Sequence, residues 1–500
     1  MRSLTARGPA FFLAMGIAVG AILTGLVVPY VRTEKVATTP AAATGTLGQT
    51  GGATGDTIAG VAGTGTTTAG GGTGPAAGGG SSGGGAAGGG AAATGGGGPG
   101  GSNSNGAGGT ARGVTKDTIK LGIAIIDVGA AKSLGYSFDL GDQRARYDAL
   151  IADVNRRGGI NGRKLVADYR TVDAAARPVE SEQAACVAWT QDVKVFAVLA
   201  ESQWGAPANV CVTGQGHTLL FSTDGVDQSY YANGLFFSTQ ASDNRILLDH
   251  AHYLQSKGKL EGKTIGVLVG DGSERLSIDD TLVPTLKQMG YSVKDVEVVP
   301  QSIAGTQKIP IAVSNFKAAG VDLIIMAANV ILDGPFAQAA HRAGYDPEYA
   351  LSDFNNEIND QVASYYPDAF DGTVALSTHR FPEYRAGMPV PPADKHCFDR
   401  VGKADPKVIP FINSAHEVGL GECAIFDAFV NAATKAGPDL TQASFIQGAN
   451  SLGTFAIPST QDGSFAPGKH DAVDYEREVA WHKSCKCWEL VPGSGLRKMG

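Results

Sequence analysis

The chain has 500 residues, 70 glycines and a formal net charge of −8 at pH 7. The glycines are concentrated between Thr38 and Gly113, where the sequence is almost only Gly, Ala, Thr and Ser. Such a segment has few side chains that could offset its chain entropy, so we predict a flexible linker there. The charges after the linker are mixed in sign and form no basic stripe, which argues against nucleic acid as a partner.

Residues 1–37 are predicted to be an export element. Arg2 and Arg7 precede an uncharged apolar run from Pro9 to Val31. A run of this length is long for the core of a signal peptide and long enough to span a bilayer. We therefore expect an extracytoplasmic protein anchored in the cell membrane by this segment. Cleavage among the small residues that follow is the alternative, and it would give a secreted protein.

All cysteines lie after the linker, and an even number in an exported chain is typical of disulfides. Two pairs are expected because their cysteines fall on successive helical segments that could pack side by side. These pairs are Cys186 with Cys211 and Cys397 with Cys423.

The last two cysteines, Cys485 and Cys487, are close enough in sequence to close a very short ring. The alternative is a metal site, because His482 precedes them in the pattern His-x-x-Cys-x-Cys. A structural zinc site normally needs a fourth ligand, and the sequence offers none at a recognisable spacing. We therefore expect a third disulfide, with no metal and no cofactor.

After the linker, short apolar segments rich in β-branched residues alternate with segments of helical periodicity. Examples are "TIKLGIAII" before "DQRARYDALIADVNRRGG", "VKVFAVLA" before "APANVCVTGQG", and "VDLIIMAA" before "GPFAQAAHRAG". Strands that are apolar on both faces and separated by helices belong to parallel sheets covered on both sides. The pattern predicts two doubly wound α/β lobes.

The stretch "DVNRRGGINGRKL" joins the first predicted helix to the second predicted strand. Gly158 and Gly159 stand where a helix C-terminus needs positive φ, and Gly162 permits a tight entry into the strand. Ile160 between them can fill the space between helix and sheet. The turn is therefore expected to be structural.

Motifs of enzymes are weak or missing in this sequence. "GVLVGDGSER" ends in Arg275, where a dinucleotide-binding fingerprint would have its third glycine. The sequence contains neither a Gly-x-Ser-x-Gly motif nor a phosphate-binding loop ending in Gly-Lys-Ser/Thr. His250 and His252 have no further ligand at metal spacing, so they are expected to be packed or solvated. We do not expect an enzyme.

The glycine turn and the segments around it resemble those of a known protein family. "IKLGIAI", the long helix and "DVNRRGGINGRKLVADYRTVDA" are followed in order by "KVFAVLAESQWGAPAN", "GHTLLFSTDG", "TIGVLVGDG", "GVDLIIMAAN" and "YALSDFNNE". Together they resemble the type I periplasmic binding proteins of the leucine/isoleucine/valine-binding class, the solute receptors of ABC importers. The resemblance implies two lobes joined by three crossovers that close over a small ligand, and an ABC permease as the membrane partner.

The resemblance also places the lobe boundaries. Lobe one is expected at Val114 to Gln240 and Phe381 to Ala456. Lobe two is expected at Ala241 to Arg380 and Ile457 to about Pro492.

Ligand-binding residues are expected where strands end, because the carboxyl ends of parallel strands face the crevice of an open sheet. The two strand ends of lobe one offer Glu201, Ser202, Gln203 and Trp204, and then Ser222, Thr223 and Asp224. The strand ends of lobe two offer Asp271, Asn329, Asp353, Phe354 and Asn355.

In the relatives, hydroxyls and backbone N–H groups at the lobe-one positions hold the ligand's carboxylate, and an acidic group near Asp353 pairs with its ammonium. This chain departs from them at Glu201, where they carry a small hydroxyl or apolar residue, and at "AANVI", where they carry a tyrosine-rich segment. These departures argue against an ordinary α-amino acid. The expected ligand is a small polar solute of the amino acid, amide, urea or small organic acid class. Trp204 is either a wall for an apolar ligand or packed against its neighbours, and Asp224 is a possible turn cap. A ligand-sensing ectodomain that signals to a membrane partner is the alternative function.

Overall fold

The structure is a computed structural model. It describes residues 111–500, apart from 177, 202–205, 355–357, 359 and 410–412. The predicted anchor at Pro9 to Val31 and the predicted linker up to residue 110 lie outside the described residues. Ala111 to Gly113 were assigned to the linker, but they contact the folded chain: Arg112 donates a hydrogen bond of 2.8 Å to the carbonyl oxygen of Gly216.

A five-stranded parallel sheet forms the first half of the fold, with strand order β2-β1-β3-β4-β5. β3 and β4 are buried along their whole length, which agrees with their unbroken apolar sequence. We call this sheet and the helices packed on it lobe one. Its strands are β1 (Thr118–Asp127), β2 (Lys164–Asp173), β3 (Ala197–Ala200), β4 (Leu219–Ser222) and β5 (Phe236–Ser238).

A second parallel sheet, with order β7-β6-β8-β9, forms the other half and is accompanied by an antiparallel sheet of order β10-β13-β14. We call these two sheets and their helices lobe two. Its strands are β6 (Ile265–Gly270), β7 (Val293–Val299), β8 (Leu323–Ala327), β9 (Glu348–Ala350), β10 (Val374–Ser377), β13 (Tyr475–His482), β14 (Cys487–Leu490) and β15 (Arg497–Lys498). A separate two-stranded pair consists of β11 (Gly453–Phe455) and β12 (Gly463–Phe465).

Helices alternate with the strands of both parallel sheets, as the sequence predicts. The α-helices are α1 (Gln143–Arg156), α2 (Pro178–Val187), α3 (Ala206–Asn209), α4 (Asp243–Ser256), α5 (Glu274–Ser277), α6 (Val283–Gln288), α7 (Ile309–Ala319), α8 (Val330–Arg342), α9 (Asp360–Ala363), α10 (Phe381–Arg385), α11 (Pro392–Val401), α12 (Ser414–Lys435) and α13 (Gln442–Asn450). Stretches of π-helix continue three of them at Ala188–Val193, Val210–Gln215 and Ile278–Leu282. Short 3₁₀ turns lie at Gly129–Leu134, Gln228–Tyr231, Ile303–Gln307, Asp368–Phe370 and Pro406–Val408. The two α/β lobes confirm the predicted fold class.

The glycine turn between α1 and β2 has the conformation that the sequence predicts. Gly158, Gly159 and Gly162 have φ values of 103°, 77° and 84°. A Cβ atom on Gly159 would lie 2.0 Å from the carbonyl oxygen of Arg163, so only glycine fits there. Ile160 is 2 % exposed and packs in the core, which gives the turn its structural role.

Three crossovers between the lobes meet at Thr378, the residue after β10. From the first crossover, Gln240 donates its side-chain N–H to the Thr378 hydroxyl at 2.9 Å. From the third, the backbone N–H of Gln461 donates to the Thr378 carbonyl at 2.9 Å. We call Gln240, Thr378 and Gln461 the hinge. Because Thr378 is 1 % exposed, these hydrogen bonds form in a site shielded from water.

The cysteines are paired as the sequence predicts. Two disulfides connect neighbouring helical segments of lobe one, and the third closes the turn between β13 and β14. The pairs are Cys186–Cys211, Cys397–Cys423 and Cys485–Cys487. His250 and His252 were expected to be packed or solvated. His250 is fully buried, and burial lowers its pKa to about 4. His252 is exposed.

Candidate ligand-binding cleft

The lobe-one side of the cleft is formed where β3 and β4 end. β3 ends at Ala200 and is followed by Glu201, while β4 ends at Ser222 and is followed by Thr223 and Asp224. The Ser222 hydroxyl accepts a hydrogen bond of 3.1 Å from the backbone N–H of Asp224, which closes a turn directly after the strand. Ser222 is 1 % exposed, and the two residues after it are partly exposed.

Glu201 lies against α12. A Cβ atom on Gly421 would be 2.6 Å from a carboxylate oxygen of Glu201, so the glycine makes room for this side chain. Glu201 is 6 % exposed. Burial raises the pKa of the nearby Tyr147 hydroxyl well above its usual value, and the charges of Glu422 and Glu201 raise it further. The Glu201 carboxylate therefore lies on the α12 side of the end of β3.

A buried ion cluster backs this part of lobe one. The fully buried Arg146 donates two hydrogen bonds to the carboxylate of Glu422, at 2.6 and 2.8 Å, and one of 2.5 Å to Asp405. Burial raises the pKa of Glu422 to about 7, against the opposing effect of Arg146. We call Arg146, Asp405 and Glu422 the ion cluster. Sequence reasoning did not find it, because Arg146 is more than 250 positions away from both carboxylates in the chain.

On the lobe-two side, three strand ends are joined by hydrogen bonds through Gln301. Asp271, after β6, accepts a hydrogen bond of 3.0 Å from the backbone N–H of Gln301, which follows β7. The side-chain oxygen of Gln301 accepts a hydrogen bond of 2.8 Å from Asn329, which follows β8. Asn329 also accepts from the backbone N–H of Ile331 at 3.2 Å and so caps α8. The structure therefore brings the predicted residues Asp271 and Asn329 into one row.

Acidic groups from both lobes approach one another between these walls. Burial raises the pKa of Glu274 to about 7, and the charges of Asp271 and of Asp224 from lobe one raise it further. Burial also raises the pKa of Asp243 well above its usual value, with Glu274, Asp227 and Asp224 adding to the effect. These interactions place the end of β4 opposite the end of β6. We call Asp224, Asp243, Asp271 and Glu274 the acidic group.

The lobes also touch at other points on the cleft. Asp227 of lobe one accepts a hydrogen bond of 2.8 Å from the Ser277 hydroxyl of lobe two. Tyr365 accepts a hydrogen bond of 2.8 Å from the backbone N–H of Ser137, and its ring lies 4.8 Å from that of Tyr136. The structure therefore has the two lobes in contact.

Asp353 lies at the hinge. Its carboxylate accepts hydrogen bonds from the Thr378 backbone N–H and from the Thr378 hydroxyl, the latter at 2.6 Å. His379 lies 3.3 Å from the other carboxylate oxygen, and Asp353 is 3 % exposed. Phe354 is fully buried in the core. Contact of these two residues with a ligand stays a prediction, and their described contacts are with the protein itself.

The remaining predicted contacts, Ser202, Gln203, Trp204 and Asn355, lie outside the described residues. Glu274 and Gln301 are the residues of the cleft that the sequence prediction missed. Glu274 follows Asp271 within "GDGSE", so its position after a strand end was visible in the sequence. Gln301 follows a strand whose exposed face obscures its pattern, and its side chain reaches Asn329 past the end of the intervening β6, which the sequence does not reveal.

Two parallel α/β lobes, joined by three crossovers and facing one another with their strand ends, define a two-lobed binding protein. Residues 118–475 match the family model described as periplasmic binding protein, and the chain belongs to this family. Membership confirms the resemblance inferred from the sequence. The family is one of solute-binding proteins, which places the folded chain outside the cytoplasm. No curated protein matches the sequence at a significant level.

Solved structures with similar folds cover most of the chain. A leucine-binding protein from Thermotoga maritima is 10 % identical, with a TM-score of 0.58, and the match covers 76 % of this chain and 98 % of that one. A fatty acid ABC transporter substrate-binding protein from Thermomonospora curvata is 18 % identical, with a TM-score of 0.54 and coverage of 78 % and 93 %. An ABC transporter solute-binding protein from Rhodopseudomonas palustris BisB5, in complex with 3,4-dihydroxybenzoic acid, is 15 % identical, with a TM-score of 0.53 and coverage of 77 % and 96 %. At these identities the similarity concerns the fold.

Within the described part of the chain, no helix is both long and apolar enough to cross a membrane. The predicted membrane anchor at Pro9 to Val31 precedes that part and stays a prediction.

Proposed function

We propose that this protein captures a small polar solute between its lobes and delivers it to an ABC permease, while an N-terminal anchor tethers it to the membrane. The observation that carries the proposal is the meeting of strand ends from both lobes beside the hinge. A solute held there contacts both lobes only when they are together, so its binding favours the closed form. The names of the Thermomonospora curvata and Rhodopseudomonas palustris proteins, which link them to ABC transporters, support the same role.

The acidic group supports a ligand that carries a positive charge or several hydrogen-bond donors. Because burial raises the pKa values of Glu274 and Asp243, the negative charge at this place is supplied by Asp224 and Asp271. Ammonium and amide groups match these two carboxylates in charge or in hydrogen bonding, whereas a bare organic acid would be repelled by them. Ser222 and the backbone after β4 are the groups proposed to hold the opposite end of the solute. We therefore rank amino acids and amides ahead of urea, and urea ahead of small organic acids.

A thermal-shift screen of the chain from Ala111 to Gly500, which contains both lobes, tests solute binding. Amino acids, amides, urea, aromatic acids and fatty acids are added one class at a time. A true ligand raises the melting temperature in proportion to the logarithm of its concentration above the dissociation constant. Stabilisation by an amino acid or amide supports both proposals. Stabilisation by organic acids alone contradicts the ranking, and no stabilisation by any class contradicts solute capture.

Substitution of Ser222 by Ala locates the binding site once a ligand is found. Loss of one hydrogen bond to a charged group should weaken binding by about tenfold, and calorimetric titration measures the change. Ser256→Ala is the matched control, because the Ser256 hydroxyl donates only to the Tyr253 carbonyl at the far end of α4. Unchanged affinity of Ser222→Ala would move the site away from the end of β4. Crosslinking of the bound protein to a permease encoded beside it tests delivery.

A further inference from the structure

The hairpin of β13 and β14 carries a group of metal-ligand side chains that solute capture does not use. The ligand atoms of Cys485, Cys487 and Glu489 lie within 4.8 Å of one another. A nitrogen of His482 lies 3.8 Å from a carboxylate oxygen of Glu489. The sequence offered only His-x-x-Cys-x-Cys, and folding adds Glu489 as the fourth ligand.

The register of the hairpin explains why these residues meet. His482 is directly opposite Cys487 in the antiparallel pair, so the two side chains project on the same face. Glu489 follows Cys487 by two residues and shares this face, because side chains alternate along a strand. Trp481 and Trp488, on the other face, are buried and hold the hairpin to the core.

Cys485 joins the group from the turn. Its sulfur lies 3.5 Å from the carbonyl oxygen of His482, and Lys486, between the two cysteines, has a positive φ of 52°. Lys483 and Lys486 are both exposed, and the Lys483 ammonium lies 3.4 Å from the carboxylate of Asp371.

This disulfide differs from the other two in what it contributes and in its access to solvent. Cys186–Cys211 and Cys397–Cys423 connect residues 25 and 26 positions apart, so each constrains a long loop of the unfolded chain. Cys485–Cys487 connects residues two positions apart and constrains almost nothing. Cys485 is also exposed, so a reductant can reach its sulfur.

We propose that Cys485, Cys487, His482 and Glu489 form a redox-controlled site for a thiophilic divalent cation such as Zn²⁺. In the disulfide form the sulfurs carry no negative charge and are poor ligands. A dithiol reductant opens the bond: its thiolate attacks the Cys485 sulfur, and the electron pair of the broken bond leaves on Cys487, which takes up a proton. The second thiol of the reductant then displaces Cys485, giving two cysteine thiols and an oxidised, disulfide-bonded reductant.

The reduced group has the ligand types and spacing of a four-coordinate zinc site. Zn²⁺ binds thiolate, imidazole and carboxylate at about 2.0 to 2.3 Å, which puts tetrahedral ligand atoms about 3.3 to 3.8 Å apart. The ligand atoms of Cys485, Cys487 and Glu489 lie within 4.8 Å of one another, and a His482 nitrogen lies 3.8 Å from the Glu489 carboxylate. Side-chain rotations after reduction can therefore bring the four ligand atoms toward that range. Binding displaces the two thiol protons, and two thiolates with one carboxylate leave the occupied site with one net negative charge.

The test uses the full chain with Co²⁺ as the probe, because thiolate-bound Co²⁺ gives a charge-transfer absorption that oxygen-bound Co²⁺ lacks. The protein is treated with low concentrations of dithiothreitol, and differential alkylation with mass mapping identifies which cysteines are reduced. We expect Cys485 and Cys487 to be alkylated before the other four, and the reduced protein to show a Co²⁺–thiolate absorption that Zn²⁺ abolishes. The oxidised protein should show none.

Two pairs of variants identify the ligands. Cys485→Ser with Cys487→Ser keeps the other two disulfides and should abolish the absorption. His482→Ala and Glu489→Gln should each weaken Co²⁺ binding at least about tenfold, the lower end of what even second-shell changes cost at metal sites. His252→Ala and Glu261→Gln are matched controls at exposed positions and should bind as the unchanged chain does.

Three results would overturn the proposal. They are a missing thiolate absorption when Cys485 and Cys487 are shown to be reduced, an equal absorption in the double serine variant, and equal affinity in His482→Ala and Glu489→Gln.

The hairpin is at the end of β10 that is remote from Thr378, since Val374 pairs with Ala480 and Ser377 with Arg477. The result is therefore independent of whether a solute binds in the cleft.

Discussion

The two walls of the cleft are built in different ways. Behind the lobe-one strand ends lies the ion cluster, in which Arg146 holds carboxylates from two distant segments. The polar residues at the lobe-two strand ends are engaged in hydrogen bonds to a helix start and to the hinge, as Asn329 and Asp353 show. From this difference we infer that lobe one supplies a rigid platform for the solute, while lobe two transmits closure to the crossovers.

The largest effect is expected from Arg146→Met, which keeps the volume of the side chain and removes its charge. Glu422 and Asp405 would then be buried without their partner, which costs about 3 to 5 kcal/mol of unfolding free energy. Urea denaturation measures the loss. Arg156→Met is the control, because Arg156 is 72 % exposed in its ion pair with Asp153 and should change stability by less than about 1 kcal/mol. Equal effects of the two substitutions would show that the ion cluster does not stabilise lobe one.

The next largest effect is expected from Asp353→Asn at the hinge. The amide would turn an N–H group toward donors from Thr378 or His379, so we expect a loss of about 2 to 3 kcal/mol in unfolding free energy. Asp271→Asn is the matched control, since Asp271 is exposed and accepts one backbone hydrogen bond; it should cost under about 1 kcal/mol.

Asp353→Asn also separates the two roles proposed for this residue. If Asp353 acts through the hinge, the variant loses stability and binds solute with nearly unchanged affinity once folded. If it pairs with the ammonium of the solute, calorimetric titration should show a large loss of affinity. The second result would mean that lobe two holds the solute as well as transmitting closure.

A smaller effect, which depends on pH, is expected from Glu476 on β13. Burial raises its pKa to about 8, with Asp249 adding to the effect and Arg497 opposing it. Between the pKa of the unfolded chain, about 4.5, and the folded value, the folded state holds the proton that the unfolded state has released. Stability from this group is therefore complete below pH 4.5 and is lost as the pH rises through 8.

Glu476→Gln tests this dependence, because the amide resembles the protonated acid at every pH. Relative to the variant, the unchanged protein should lose on the order of 2 kcal/mol of unfolding free energy between pH 5 and pH 8. Urea denaturation at the two pH values gives the difference. Parallel pH profiles for the two proteins would mean that Glu476 titrates alike in the folded and unfolded states.

Local rules predicted the scaffold well. The positive φ of Gly158 and Gly159 follows from helix ending chemistry, and the parallel sheets follow from strands that are apolar on both faces. These features depend on a few neighbouring residues, so a single sequence contains them.

The site was less predictable because its contacts join distant segments. The sequence put Asp353 after a strand, but its hydrogen bonds to Thr378 depend on where the second crossover passes. The approach of Asp224 to Glu274 depends on how the lobes meet, and no periodicity encodes that. Strand-end position is thus a good guide to the neighbourhood of a cleft and a poor guide to the partner of each side chain.

The smallest effect is expected from Asn329→Ala, which removes the cap of α8. A lost N-terminal cap costs about 1 kcal/mol, and glycine at the same position should cost only a few tenths. Thr441→Ala, at the capping box of α13 in lobe one, is the matched control and should cost a similar amount. If Asn329 serves only the scaffold, solute affinity in Asn329→Ala stays within about twofold, because Asn329 is 8 % exposed and its amide is already engaged by Gln301 and Ile331. A tenfold loss of affinity with unchanged stability would instead make Asn329 a solute contact, and lobe two would then share in recognition as well as in closure.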